Sequence, residues 1–118
     1  MPFTFYDETG APVAYTEDDE HLYDFNGSPI AYFSGNSVYN YPGKHLGWFE
    51  NGWIKDSEGN CFLFSESATG GPLKPLKKLK PLKGLKKLKP LKGLRQLKPL
   101  KPLSSLNWSS NTVQSFFS

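Results

Sequence analysis

A single cysteine, Cys61, leaves this chain no intramolecular disulfide and no CxxC metal site. Long apolar runs are also missing, and nothing approaches the ~18–20 residues that a membrane-spanning helix needs. Met1 leads into Pro2-Phe3-Thr4-Phe5 with no basic n-region and no continuous apolar core. No secretory leader is read there, so the expectation is a cytoplasmic protein, with export by a signal-less route left open. Histidine is limited to His21 and His45, in no spacing suited to zinc. A phosphate-binding glycine loop is absent, and after Gly71 there is no acidic residue at all.

That last absence divides the chain. All eleven Asp and Glu lie before Gly71 with only Lys44 and Lys55 as bases, a net of −9, and the twelve Lys and Arg that follow give +12. The whole-chain charge of +3 averages the two away. Such asymmetry between halves marks an interaction tail. The reading is an acidic head at 1–71, a basic tail at 72–106 and a C-terminal anchor at 107–118.

The head repeats itself. Tyr6-Asp7-Glu8-Thr9-Gly10 aligns with Tyr23-Asp24-Phe25-Asn26-Gly27, Tyr39-Asn40-Tyr41-Pro42-Gly43 and Lys55-Asp56-Ser57-Glu58-Gly59, the glycines falling 17, 16 and 16 residues apart. Three positions after each glycine stands Val13, Ile30, Leu46 or Phe62; five after it stands Tyr15, Tyr32, Trp48 or Phe64. Asp or Asn followed by Gly three places later fits a type I turn whose side chain accepts backbone N–H groups. The flanking segments alternate and are rich in aromatic and β-branched residues, the strand signature. Asn51-Gly52 predicts a two-residue hairpin between Trp48-Phe49 and Trp53-Ile54. Ser34-Gly35-Asn36 serves the same role, and Asp18-Asp19 does so less tightly. Eight short strands follow, from Phe3–Asp7 to Cys61–Ser65. Pairing Phe3–Tyr6 with Phe62–Phe64 would close the ring and remove both edges. The fold class expected is all-β, a small pseudo-fourfold β-repeat barrel or flower plus an extended tail.

These residues resemble the four-fold β-flower family, through the repeated Tyr/Lys-Asp-x-x-Gly units, Gly47-Trp48-Phe49-Glu50-Asn51-Gly52-Trp53-Ile54 and the following Gly70-Gly71-Pro72. The likeness covers roughly residues 1–72, with the Pro/Lys tail also similar. It implies a shallow symmetric barrel and carries no activity with it.

The tail has period three. Leucine occupies 73, 76, 79, 82, 85, 88, 91, 94, 97, 100, 103 and 106 without a miss, that is Leu73, Leu76, Leu79, Leu82, Leu85, Leu88, Leu91, Leu94, Leu97, Leu100, Leu103 and Leu106. An α-helix would wind that stripe round its whole surface, and Pro75, Pro81, Pro90, Pro99 and Pro102 would break it. Polyproline II has three residues per turn and accepts proline throughout. On such a helix one face is leucine. A second is almost all basic: Lys74, Lys77, Lys80, Lys83, Lys86, Lys89, Lys92, Arg95, Lys98 and Lys101. The third mixes Pro, Gly and Lys, including Gly84 and Gly93. A disordered basic linker is the ordinary reading of Pro/Lys-rich sequence, and it gives no reason for leucine to hold phase over eleven turns. Straight, the tail would measure about 100 Å against a head about 30 Å across. The stripe is therefore expected to fold back, bundle with other tails or lie on something larger. Trp108, Phe116 and Phe117 read as anchors that fasten the chain end against protein.

Catalytic chemistry is not evident. Cys61 reads as a small half-buried thiol, His21 as a surface strand residue, and Asp7, Asp24 and Asp56 as turn formers. Glu17-Asp18-Asp19-Glu20 lacks the spacing of a calcium loop. No cofactor, metal or small-molecule substrate is expected. The leading expectation is a non-enzymatic assembly protein whose partner is itself, as a homo-oligomer or filament, its tails bundled together or docked into the acidic heads of neighbouring copies, whose aromatics are Tyr15, Tyr32, Trp48, Trp53 and Phe64. Binding to an anionic membrane surface is the alternative. Nucleic-acid binding ranks last, since an acidic head opposes it and no aromatic interleaves the lysines.

Overall fold

A computed structural model describes residues 3–118; Met1 and Pro2, where the stretch read for a leader begins, lie outside them. Eight strands run in chain order: β1 (Phe3–Tyr6), β2 (Pro12–Thr16), β3 (His21–Asp24), β4 (Pro29–Ser34), β5 (Ser37–Tyr39), β6 (His45–Glu50), β7 (Trp53–Lys55) and β8 (Cys61–Ser65). Each pairs antiparallel with the next, and β1 pairs with β8 through Phe5↔Ser65 and Tyr6↔Phe64, so the sheet closes into a barrel. The expected all-β ring is present, displaced by only a residue or two at the seam. Closure satisfies every strand edge within the ring, as strands this short require.

Fourfold symmetry is visible in the backbone. In each unit the side-chain oxygen of the Asp or Asn accepts two backbone N–H groups. Asp7 Oδ1 takes Thr9 and Ala11, Asp24 Oδ1 takes Asn26 and Ser28, Asn40 Oδ1 takes Gly43 and Lys44, and Asp56 Oδ1 takes Glu58 and Asn60, all at 2.8–3.1 Å. Just before each turn the ladder slips by one residue, between Phe5/Tyr6, Leu22/Tyr23, Val38/Tyr39 and Ile54/Lys55. Four equivalent bulges bend the strands and let so small a ring close. Strand β1 stops at Tyr6 because Asp7 is already committed to its turn. The hairpin at Asn51-Gly52 takes positive φ at both residues (53° and 82°), as its sequence predicts.

The barrel interior alternates large and small in three of its four units, with Leu63 in the small residue's place in the fourth. Phe5, Leu22, Val38 and Ile54 alternate round the ring with Ala14, Ala31, Gly47 and Leu63, all of them buried. Phe3, Phe33 and Phe49 lie against this core, Phe33 and Phe49 with ring centroids 5.1 Å apart. Val13, Ile30, Leu46 and Phe62 also join it, together with the short helix α1 (Val113–Phe117). Thr112 caps that helix, and Phe116 stacks on Phe62 at 4.4 Å. The chain end is thus fastened by its aromatic pair.

Of the paths open to the tail, the structure shows it turned back on its own head. From Leu73 to Ser105 it has no helix, strand or turn, yet it does not leave the head. It runs once round the barrel, and the two ends of the loop meet at one side chain: Trp53 touches Gly71 and stands 5.5 Å, edge to face, from Trp108. Length permits this. Thirty-six residues at ~3.1 Å each reach about 110 Å; the molecule measures 36 × 36 × 25 Å, and a circle 36 Å across has a circumference of roughly 113 Å.

Candidate functional site

Four grooves on the outside of the barrel receive the tail. Each is walled by outward-facing aromatics from neighbouring strands and the turns that follow them: Tyr15, Tyr23 and Phe25; Tyr32, Tyr39 and Tyr41; Trp48 with His45; and, at the seam, Tyr6, Phe64 and Trp53. The strand period of two puts these rings opposite the interior layer, and the bulge before each turn sets neighbouring rings 5.4–5.8 Å apart at Tyr6–Phe64, Tyr15–Tyr23 and Tyr32–Tyr39.

The tail answers with a nine-residue unit that period three alone conceals. Lys74–Leu82, Lys83–Leu91, Lys92–Leu100 and Lys101–Ser109 are in register, and their fifth residues donate backbone N–H bonds to the four turn glycines. Lys78 bonds Gly10 O (2.9 Å), Lys87 bonds Gly27 O (2.9 Å), Gln96 bonds Gly43 O (2.8 Å) and Ser105 bonds Gly59 O (3.1 Å). Two second residues add bonds, Gly84 to Phe25 O (2.8 Å) and Gly93 to Tyr41 O (2.6 Å). The turn glycines are needed for this approach as well as for their positive φ. A Cβ at Gly27 would sit 2.0 Å from Leu85 O, and one at Gly43 2.1 Å from Leu94 O.

Orientation of the tail is the main surprise. The basic face turns inward, with Lys83 4.3 Å from the Tyr15 ring centre, Lys92 4.3 Å from Tyr32, Lys86 5.3 Å from Tyr23, Arg95 5.5 Å from Tyr39, Lys98 5.5 Å from Trp48 and Lys77 5.9 Å from Tyr6. Head carboxylates complete the sites. Glu17 takes Lys83 (3.2 Å) and Lys86, Glu20 takes Lys92 (3.0 Å), Glu50 takes Lys101, and Glu66 takes Lys80 (3.6 Å). Lys74 reaches the carbonyl of Ala68. These five paired lysine side chains remain 37–50 % exposed. The leucines from Leu73 to Leu103 are 92–97 % exposed and Leu106 73 %. The stripe expected to seek cover points outward, because aromatic faces and carboxylates match ammonium groups and period three then puts leucine on the far side. Lys89 makes none of these contacts.

Electrostatics follow the same contacts. Hydrogen bonds from Lys86 and Lys83 hold the Glu17 carboxyl below the usual range, and the same Glu17 bond raises Lys86. Lys92 and the nearby His21 lower Glu20. For Asp18, burial works upward, but bonds from the His21 ring and from the His21 and Glu20 N–H groups outweigh it and hold the carboxyl well below normal. His21 is therefore no loose surface residue: its Nδ1 lies 2.7 Å from Asp18 and its side chain is largely covered. Burial pushes Tyr41 up to about 12 and lowers His45, the latter with help from Lys98. Cys61 is buried completely, more than its half-buried expectation; burial raises its thiol, whose Sγ faces Ser105 O at 3.7 Å.

Of the predicted head aromatics, Tyr15, Tyr32 and Trp48 thus meet tail cations directly, whereas Trp53 and Phe64 pack against Trp108 at the seam. The leucine stripe stands apart from them. What the sequence reading missed is the inward role of Glu17, Glu20, Glu50 and Glu66 and the nine-residue tail unit; spacing Gly84 and Gly93 against the head repeat would have revealed the latter.

Comparison with known proteins agrees with this geometry. A family model described as 4-fold beta flower protein matches residues 3–117, so the likeness drawn on the head extends over the tail and the terminal helix. No curated protein and no solved structure matches. Four equivalent turns on a closed eight-stranded ring, matched from the first strand to the last helix, make this chain a member of the 4-fold β-flower family.

Proposed function

We propose that the protein is a non-enzymatic assembly unit that associates with copies of itself through the outward leucine girdle. The observation that carries this reading is that eleven leucines stand 92–97 % exposed on one continuous stripe. Burying a leucine contributes roughly 1.5–3 kcal/mol at ~25 cal/mol per Å², or about 60–120 Å² each, so the stripe offers roughly 700–1,300 Å² of apolar surface. Ordinary monomers expose patches of about 300–600 Å², and a stable interface takes about 800 Å² from each partner. The tail's close docking, and the length that fits an extended polyproline II chain round the rim, support a girdle that is held rigid before any partner arrives. Preorganisation of that kind lowers the ordering cost of association.

Attraction to anionic lipid or nucleic acid is the weaker reading. The tail cations that would drive it are turned onto tyrosines and carboxylates of the head. The test is sedimentation and light scattering of the full chain across concentration, beside a triple substitution of Leu82, Leu91 and Leu100 by Gln. Concentration-dependent oligomers that the triple variant abolishes, at unchanged melting temperature, are expected. A strict monomer at high concentration overturns self-association. Flotation with zwitterionic and anionic vesicles in parallel assigns the girdle to lipid if the chain is monomeric yet floats.

A further inference from the structure

We infer that the rim of the head is a sequence-reading receptor for the protein's own tail, with Lys55 and Ser104 as the key that admits a single register. Four grooves and four nine-residue units pose a problem. A tail slid by one unit would still offer leucine outward and cations inward in most grooves.

The groove where Trp48 pairs with Lys55 differs in both partners at once. Lys55 stands where the other units carry Tyr6, Tyr23 and Tyr39, and Ser104 stands where the other tail units carry Lys77, Lys86 and Arg95. Elsewhere a cation lies over a ring at 5.3–5.9 Å. Here the cation comes from the head and the neutral partner from the tail. The Lys55 ammonium, buried beneath the tail, donates to Ser104 Oγ at 3.1 Å and to Glu50 Oε1 at 3.0 Å, while Ser104 Oγ also reaches Glu50. The exchange keeps one cation at this position of every groove.

A slip of one unit in either direction breaks this. Moved one way, Arg95 would face Lys55, two cations in a buried groove, and Pro75 would replace Gly84. A Cβ at Gly84 would already lie 2.6 Å from Asn26 O, and proline has no N–H for Phe25 O. Moved the other way, Ser104 would leave Lys55 and Pro102 would replace Gly93, where a Cβ would lie 2.2 Å from Pro42 O. The glycine–proline order and the Lys55–Ser104 exchange therefore specify the same register by unrelated physics, the first by space and the second by charge. This inference stands independently of self-association.

The test uses the full chain with a reporter at Ser28→Cys and Lys87→Cys, residues that touch in the native register through a 3.1 Å bond, joined by a short thiol crosslinker. Slipped registers are reported by Ser28→Cys with Lys78→Cys or Gln96→Cys. Only the 28–87 pair is expected to crosslink, and within one chain. Ser104→Lys should cut that yield several-fold and lower the melting temperature; adding Lys55→Tyr, which rebuilds the pairing of the other grooves, should restore both. Crosslinks from the slipped pairs in the unsubstituted chain, crosslinks joining two copies, an unaffected Ser104→Lys variant, or a double variant no better than Ser104→Lys would each overturn the inference.

Discussion

Replacing Gly93 by alanine is the sharpest test of how closely the tail lies on the head. In open space the change would stabilise by about 0.4–1 kcal/mol, because alanine restricts the unfolded chain. Gly93 has no left-handed φ to forbid it. But its Cβ would stand 2.2 Å from Pro42 O and 2.8 Å from Pro42 C, both backbone atoms that cannot rotate away. Carbon contacts are comfortable near ~3.5–4.0 Å, so the tail must lift by about an ångström. Lifting stretches the 2.6 Å bond from Gly93 N–H to Tyr41 O and the 2.8 Å bond from Gln96 N–H to Gly43 O. Overpacking costs about 1–3 kcal/mol and a lost hydrogen bond about 0.5–1.5. After the alanine gain is subtracted, the net loss spans about 0.5–4 kcal/mol and centres on ~2 kcal/mol. Amide hydrogen exchange at residue 93 and Gln96 reads it directly, since the tail can open while the barrel stays closed. Protection should fall roughly tenfold to a hundredfold. Leu94→Ala, on a side chain 97 % exposed, should change protection little when measured dilute. Wild-type protection in Gly93→Ala, or a raised melting temperature, would refute the close-contact argument.

Asp24→Ala removes the acceptor for two backbone N–H groups and should cost about 1–2 kcal/mol in urea unfolding, whereas Asp24→Asn, the arrangement Asn40 already shows, should cost much less. Glu17 and Glu20 titrate below the usual range when folded, so the unfolded chain binds protons the folded one refuses. Their contribution is complete above about pH 4.3 and is lost as the pH falls through their depressed values. Acid titration followed by exchange at Lys87 should show the tail loosening there, and the Glu17→Gln, Glu20→Gln double variant should lack that step. A double-mutant cycle of Lys92→Met with Glu20→Gln should give a coupling of about 0.2–1 kcal/mol that fades in 1 M salt. Phe116→Ala, which removes a buried ring stacked on Phe62, should cost roughly 3 kcal/mol by the same unfolding assay.

Much of this fold is legible in the sequence. Asp-x-x-Gly is a local signal, since the side chain bonds N–H groups two to four residues on and needs no distant partner; all four turns form as read. Strand alternation and the Asn51-Gly52 hairpin are local in the same sense. The tail's phase was equally plain. Its path was not, because nothing in a three-residue period says whether leucine or lysine faces a neighbour. Hydrophobicity alone favoured leucine, and that preference is wrong here.

By itself, then, the sequence determined the fourfold turns, the eight strands, the division of charge and the strict alternation of tail faces, all of them set within a few residues of chain. The tertiary structure decided which face turns inward and how far round the tail reaches. Those depend on Tyr15, Tyr32, Glu17 and Glu20 being brought to the rim together, an arrangement of cation partners that exists only once the ring has closed.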